Sequence, residues 1–282
     1  MFFSIIIATL NRKDLVEQCL NSLKKQTFKN YEIIIVDQSD DNETQTYISN
    51  YSDIIYKHVN FKGLSKARNW GLKFAKGEYV CLLDDDAEYS EDFLYNSYKY
   101  IIENNVVALS GRILDKSSGQ NYLKYPDTKK AIKLSEKNMF YLFSSSALVI
   151  NRNILNNVNG FDELLGVGGR FGSAEETDLL LRIKYINDNI MYFPNLIIYH
   201  PVTKIVNKDN KKVYNYASGL GALIKKHIIY FKNYRLIGVL IRLLIRPIIA
   251  FLFYYLTFNK VKYMYYVLIL RGRLYGLINY KK

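Results

Sequence analysis

The sequence predicts an α/β chain in which a mainly parallel central sheet with flanking helices is followed by a basic, apolar helical segment. Three observations predict it. Short apolar runs alternate with amphipathic stretches over roughly the first 200 residues, polar and acidic motifs follow directly on those runs, and positive charge collects at the other end. At 282 residues, 49% hydrophobic and 23% charged, the chain can bury a full core, which excludes disorder and small disulfide-stapled scaffolds.

Residues 3–8 form the first run and read as a strand rather than a leader, since no cationic stretch precedes them and no small-residue cleavage site follows. Leu15, Val16, Cys19, Leu20 and Leu23 then keep a helical period. Residues 32–36 and 54–58 read as the next strands. A second helical period runs through Leu64, Ala67, Leu72 and Ala75, before the apolar runs 79–83 and 106–109. Such alternation implies βαβ units, with ligands in the crevice beyond the strands' carboxyl ends. Residues 111–138, with Ser117, Ser118, Gly119 and Pro126, read as a loop-rich excursion. Cys19 and Cys81 lie inside apolar stretches, which excludes a disulfide framework or a cysteine-rich zinc site and suits a reducing, cytoplasmic setting.

The net charge of +13 is unevenly placed. Residues 1–203 carry 23 Lys and Arg against 25 Asp and Glu, a net of −2, whereas residues 204–282 carry 16 against Asp209 alone, a net of +15. Two physically different segments are therefore expected, a nearly neutral body and a basic tail.

Four constellations in the body can carry chemistry. Thr9, Asn11 and Asp37 follow the first two strands, where they could read a base and ribose or simply serve as a helix cap and a turn. No glycine-rich phosphate fingerprint accompanies them, so Rossmann dinucleotide binding and P-loop chemistry are disfavoured. Asp84, Asp85 and Asp86 crowd three carboxylates at a strand end. Their repulsion calls for a cation, and a few hard oxygen ligands suit Mg²⁺ or Mn²⁺ shared with a diphosphate; the competing reading is a solvated acidic turn. The glycine loop 166–172 runs into Glu175, Glu176 and Asp178, where a carboxylate could act as a general base. The same residues also spell a capping box, Ser173 to Glu176, with an Asp178–Arg182 pair. His200 ends another apolar run and joins the site only if the fold carries it to the aspartates. His58 and His227 have no acidic cluster nearby in sequence and read as structural or exposed.

These elements, in this order, resemble the family 2 glycosyltransferases of the GT-A fold. The resemblance is carried by Gly63-Leu64-Ser65-Lys66-Ala67-Arg68-Asn69-Trp70-Gly71, Ala75-Lys76-Gly77-Glu78-Tyr79, Asp84-Asp85-Asp86, Gly160-Phe161-Asp162-Glu163 and Glu175-Glu176-Thr177-Asp178. It implies a catalytic domain over residues 1–203, with a nucleotide-sugar half (1–110) and an acceptor half (111–203). It implies that Thr9, Asn11 and Asp37 contact base and ribose and that Arg68 lies near the nucleotide. Asp84 and Asp86 would form the DxD pair, with Asp86 the metal ligand proper, and Asp85 and Glu175 would join them in substrate binding. His200 would approach the metal or the diphosphate. Glu176 stands where the family commonly has an aspartate base, one methylene shorter. The implied chemistry is inverting transfer from a nucleoside-diphosphate sugar, UDP-sugar being the expected donor, with Mg²⁺ or Mn²⁺ as cofactor.

The tail contains residues 236–258, long and apolar enough to span a bilayer but interrupted by Arg242, Arg246 and Pro247. Roughly fifteen apolar residues at about −0.5 kcal/mol each, against about +5 to +6 kcal/mol for two central arginines and a further proline penalty, leave spanning marginal. A helix lying in an anionic interface fits better. Packing on the catalytic body or a dimer surface is the competing reading, and a homo-oligomer is compatible with the sequence. Long aliphatic runs between the cations argue against nucleic acid. The expectation is therefore an enzyme on the inner face of the cell membrane, building a cell-surface glycan on a glycan or lipid-linked acceptor. The alternatives are a catalytically silent sugar-nucleotide or membrane-surface binding module and, behind it, a nucleic-acid-binding protein.

Overall fold

Uninterrupted apolar runs suit strands covered on both faces, because neither face then has to meet water. In a computed structural model that describes residues 1–136, 138–201 and 209–281, three such runs become β1 (Phe3–Thr9), β2 (Tyr31–Asp37) and β4 (Tyr79–Asp84), with the partly covered β3 (Ile54–His58) at the sheet edge. The sheet is completed by β5 (Glu88–Tyr89), β6 (Ala108–Leu114), β7 (Ile132–Lys133), β8 (Leu148–Asn151) and β9 (Ile190–Tyr199). Among the described residues the order is β3-β2-β1-β4-β8-β6-β9-β5, with β7 beside β9. β1 to β4 pair in parallel, as do β6 and β9, while β8 enters antiparallel between β4 and β6. The parallel character thus sits mainly in the first half, and the second half is mixed.

The connections are α1 (Lys13–Lys24), α2 (Glu43–Ile48) and α3 (Leu64–Leu72) between successive parallel strands, then α4 (Phe93–Asn104), α5 (Met139–Leu142), α6 (Arg152–Asn157) and α7 (Glu175–Ile186). Alternation along β1 sorts the layers. Phe3, Ile5 and Ile7 share a core with Val16, Cys19, Leu20 and Leu23 of α1 and with Phe93, Leu94 and Ile101 of α4. Ile6 points the other way, to Gly71 of α3, where a Cβ would stand 2.7 Å from Ile6 Cγ2. Register does the rest: Thr9 lies opposite Asp37, and Ala8 opposite Asp84, so the carboxyl ends of β1, β2 and β4 are level and their polar residues share one rim.

Most of the described residues in 111–138 are loop, as the sequence reads, but strand enters the stretch at both ends. Residues 111–114 extend β6 along β9, with a register shift between Gly111 and Arg112, and β7 adds a short further strand. Gly111 opens the stretch that reads as a loop, yet a Cβ there would collide with the Leu196 carbonyl oxygen, so it is the residue that lets β9 approach.

The described residues divide into two compact units. One comprises residues 1–62, 66–161 and 179–201; the other comprises 63–65, 162–178 and 209–281. The boundary expected between 203 and 204 lies outside the described residues. In the second unit α8 (Asn210–Lys225) and α10 (Lys260–Asn279) pack backbone to backbone. Gly272 and Gly276 share one face of α10; a Cβ at Gly272 would lie 2.5 Å from the Tyr214 carbonyl oxygen, and one at Gly276 would collide with that of Ser218. A small core of Leu165, Phe171, Ala222 and Tyr280 ties residues 162–178 to these helices. Between α8 and α10 in sequence runs α9 (Ile237–Leu256), part of a mostly unburied segment Tyr234–Leu256 that is by length and composition apolar enough to cross a membrane.

Candidate active site

The rim of the first unit gathers the residues expected on the donor side. Thr9 ends β1 and donates its hydroxyl to Asp85 Oδ2 at 2.8 Å. Asp37 ends β2, fully buried, and accepts from the Ser39 amide at 2.8 Å and from the Tyr56 hydroxyl at 2.7 Å. The turn reading of Asp37 is thereby realised, and burial next to that carboxylate pushes the Tyr56 hydroxyl well up. Asn11 takes a left-handed φ of 53°, and its side chain accepts from the Asp40 amide at 2.9 Å while its own amide donates to Ser39 Oγ at 2.8 Å. This locks the loops after β1 and β2 together.

The acidic turn after β4 is satisfied one carboxylate at a time. Arg68, 1% exposed, places Nη2 2.6 Å from Asp84 Oδ1. Arg12 places Nη1 3.1 Å from Asp85 and 3.5 Å from Asp86. His200, at the far end of β9, brings Nε2 to 3.1 Å from Asp86 Oδ1. Burial pushes the Asp85 carboxyl up, only partly offset by Thr9 and Arg12. For Asp86 burial also pushes upward, but His200 and Arg12 outweigh it and hold the carboxyl below its ordinary value. The converse holds at His200, where burial pulls the imidazole down and Asp86 and Asp84 lift it above its usual value.

Asp84, Asp86 and His200 offer one ligand atom each within 4.8 Å of one another. Two carboxylate oxygens and an imidazole nitrogen fit a hard-to-borderline divalent cation that keeps open positions for other oxygens. The fold thus meets the condition the sequence set for His200. A cleft of about 180 Å³ opens beside them, lined by Asp85, Asp86, Glu88, Lys116, Tyr199 and His200. Arg12, which follows Asn11 in the stretch after β1, carries no role in the sequence reading; the structure sets it against Asp85 and Asp86.

The second unit holds the other carboxylates. α7 begins at Glu175, after Ala174 at φ 72°, and Ser173 donates its hydroxyl to the Tyr216 carbonyl at 2.9 Å. The helix therefore starts one residue too late for a Ser173–Glu176 capping box. Glu175 is buried against Gly166, where a Cβ would stand 3.1 Å from its Cδ, and Glu176 is half-buried. Asp178 takes Lys226 at 2.8 Å and His227 at 2.9 Å. His227 is fully buried, a structural histidine whose acidic partner lies far away in sequence.

Comparison with known proteins agrees with the fold. The UDP-Glc:alpha-D-GlcNAc-diphosphoundecaprenol beta-1,3-glucosyltransferase WfaP of Escherichia coli is 44% identical over 86 residues, covering 29% of this chain and 34% of its own. The GalNAc(5)-diNAcBac-PP-undecaprenol beta-1,3-glucosyltransferase of Campylobacter jejuni is 29% identical over 176 residues, 58% of this chain and 56% of its own. The chain thus spans between a third and a little over half of these relatives' length. Among solved structures, the mannosyltransferase PcManGT of Pyrobaculum calidifontis, in complex with GDP-Man and Mn²⁺, superposes with a TM-score of 0.64 at 17% identity, over 99% of this chain and 88% of its own, a likeness of fold. The family model for glycosyl transferase family 2 matches residues 4–165, more than half of the chain and the whole stretch from β1 through the acidic turn, and the protein belongs to that family.

Proposed function

We propose that this chain is an inverting, metal-dependent glycosyltransferase that moves a sugar from a nucleoside-diphosphate sugar, with UDP-sugar the expected donor, to a glycan or lipid-linked acceptor in cell-surface polysaccharide synthesis. The observation that carries the reading is the convergence of Asp84, Asp86 and His200 on the rim of a family 2 sheet. UDP and lipid-linked acceptors are supported by the two bacterial relatives, which are named for UDP-glucose or for undecaprenol-linked acceptors. Residues 1–203 serve as the catalytic domain, 1–110 for the nucleotide sugar and 111–203 for the acceptor, and 204–282 as the membrane-associating region.

Thr9, Asn11 and Asp37 meet base and ribose, and Arg68, with Asp84 and Asp85, lines the nucleotide side. Asp86, Asp84 and His200 would hold the cation. A bound Mg²⁺ or Mn²⁺ there supplies positive charge to the diphosphate leaving group. Glu176 accepts the proton of the acceptor hydroxyl as its oxygen bonds to the anomeric carbon, and the bond to the diphosphate breaks with its electron pair on the departing nucleotide. Glu175 assists in binding the acceptor. No enzyme nucleophile is needed in a single displacement, and the sugar inverts.

The tail supports a peripheral place on the inner membrane face. Ile241, Ile245, Ile248, Ile249, Leu252 and Leu256 form an exposed apolar stripe on α9, with Arg242 and Arg246 exposed beside it. Such a helix lies in the interface with its arginines reaching lipid phosphates. A donor screen reading nucleoside diphosphate release with Mg²⁺ or Mn²⁺ tests the whole reading. Release from one sugar nucleotide, dependent on acceptor and metal, is expected; tight donor binding with no turnover on any acceptor would instead make the chain a sugar-nucleotide binding module.

A further inference from the structure

The second unit contains a buried ionic group that the proposed chemistry does not use. Lys226 Nζ stands 2.6 Å from Asp162 Oδ2 and 2.8 Å from Asp178 Oδ1. His227 Nε2 is 2.9 Å from the same Asp178 oxygen, and Tyr280 donates its hydroxyl to Asp162 Oδ2 at 2.6 Å. Asp178 and His227 are 0% exposed and Lys226 is 4% exposed. Taking such groups out of water costs about as much as their attraction returns, so apolar residues of similar size would stabilise the fold as well. A gain in stability is thus a poor reason for the cluster, and a fixed geometry is a better one.

Local structure points the same way. Lys226 and His227 are sequence neighbours, and in a regular helix neighbouring side chains diverge by about 100°. Here they open a π-helical turn, Lys226–Tyr230, at the end of α8, and both meet Asp178. Widened turns of this kind place side chains where an α-helix cannot.

The two aspartates bracket the glycine loop. Residues 163–174 leave from Asp162 and return into the first turn of α7, with positive φ at Gly166, Gly168 and Ala174. A loop with this many glycines, ending on a strained Ala174, needs its stems fixed if its end is to present a side chain accurately. Lys226 joins the stems, and His227 holds the returning one. Glu176 sits in that returning turn, two residues before Asp178.

We propose that Lys226 and His227 are positioning residues for Glu176, closing the stem of the 163–174 loop through Asp162 and Asp178 and fixing the first turn of α7. The basic tail is then part of the acceptor-side machinery as well as a membrane element. The inference rests on Glu176 as the base.

Two measurements on the full chain test it: steady-state kinetics, and amide hydrogen exchange resolved by segment. Lys226→Met is expected to lower kcat on the order of 10- to 100-fold, leave KM for the sugar nucleotide within about twofold, and speed exchange in 163–178 while β1 to β4 stay protected. Lys226→Arg restores most of kcat, and His227→Leu gives the same signature as Lys226→Met. If Lys226→Met fails to fold because two carboxylates lose their cation, the charge-balanced Asp162→Asn/Lys226→Met variant takes its place. An unchanged kcat in the folded variant, or exchange that rises uniformly along the chain, would overturn the proposal and leave the cluster a stabilising element only. Wild-type chain inactive with every donor would overturn the transferase reading instead, while the exchange arm, which needs no turnover, still decides whether Lys226 closes the stem.

Discussion

Asp86, just past the end of β4, and His200, just past the end of β9, meet at 3.1 Å although no local pattern links them. Their contact brings an imidazole nitrogen to the acidic turn, so that with Asp84 three groups able to ligate a cation lie within 4.8 Å of one another. If Asp86 ligates the cation, Asp86→Ala is expected to lower metal-stimulated transfer by about 10²–10³-fold. His200→Ala, which removes a ligand yet leaves the carboxylates, is expected to weaken Mn²⁺ activation by roughly 10- to 100-fold, recoverable at high metal. Nucleotide release across a metal titration reads both. Equal activity with and without the ligands at all metal concentrations would remove the site from the mechanism.

Glu176→Gln keeps size and removes basicity. If Glu176 takes the acceptor proton, kcat drops by about 10²–10⁴-fold while donor affinity, measured by calorimetry, stays put. Retained turnover would assign the base elsewhere, and Glu175, buried beside Gly166, would be the first residue to try.

Much of the first unit was legible because fully covered parallel strands leave unbroken apolar runs, and because equal register brings Thr9, Asp37 and Asp84 to one rim. The mixed half was harder. Residues 111–114 carry Gly111 and Arg112 in the middle of a strand, and only the bend of β9 explains them. Least legible was the partnership of Asp162 and Asp178 with Lys226, His227 and Tyr280. Ion pairs between residues far apart have no period, and a π-helical turn has no composition that marks it.

The glycines of α9 and α10 separate packing from propensity. Gly276→Leu forces side-chain atoms into the Ser218 carbonyl and is expected to cost about 1–3 kcal/mol or more. At Gly238, in the first turn of α9, an added Cβ would meet nothing within 4 Å, so Gly238→Ala is expected to gain about 0.5–1 kcal/mol. Thermal unfolding compares the two, and the signs must be opposite.

Burial pushes the thiols of Cys19 and Cys81 well up, Cys19 further by the nearby aspartates. A raised thiol pKa means less thiolate at any given pH, and both side chains are sealed in the core. At a mildly alkaline pH an aromatic disulfide reagent is therefore expected to label neither cysteine in the folded chain, and both once urea unfolds it. Fast labelling of either in the native state would contradict their place in the core shared with Phe3, Ile5 and Ile7.

Lipid binding gives the last prediction its sharpest form, because the two readings of α9 fail differently. An in-plane helix owes its hold to the apolar stripe plus Arg242 and Arg246, each worth about 1 kcal/mol near an anionic surface, or roughly fivefold in affinity. Arg242→Glu/Arg246→Glu is then expected to weaken binding to phosphatidylglycerol-containing vesicles by roughly 25-fold or more, with little change on neutral vesicles. Raised salt should mimic the variant, and alkaline carbonate should strip the wild-type chain from membranes. A helix that spans would resist carbonate and would hardly notice salt. A chain that ignores vesicles and forms a stable dimer buried on α9 would instead give the stripe to a second copy.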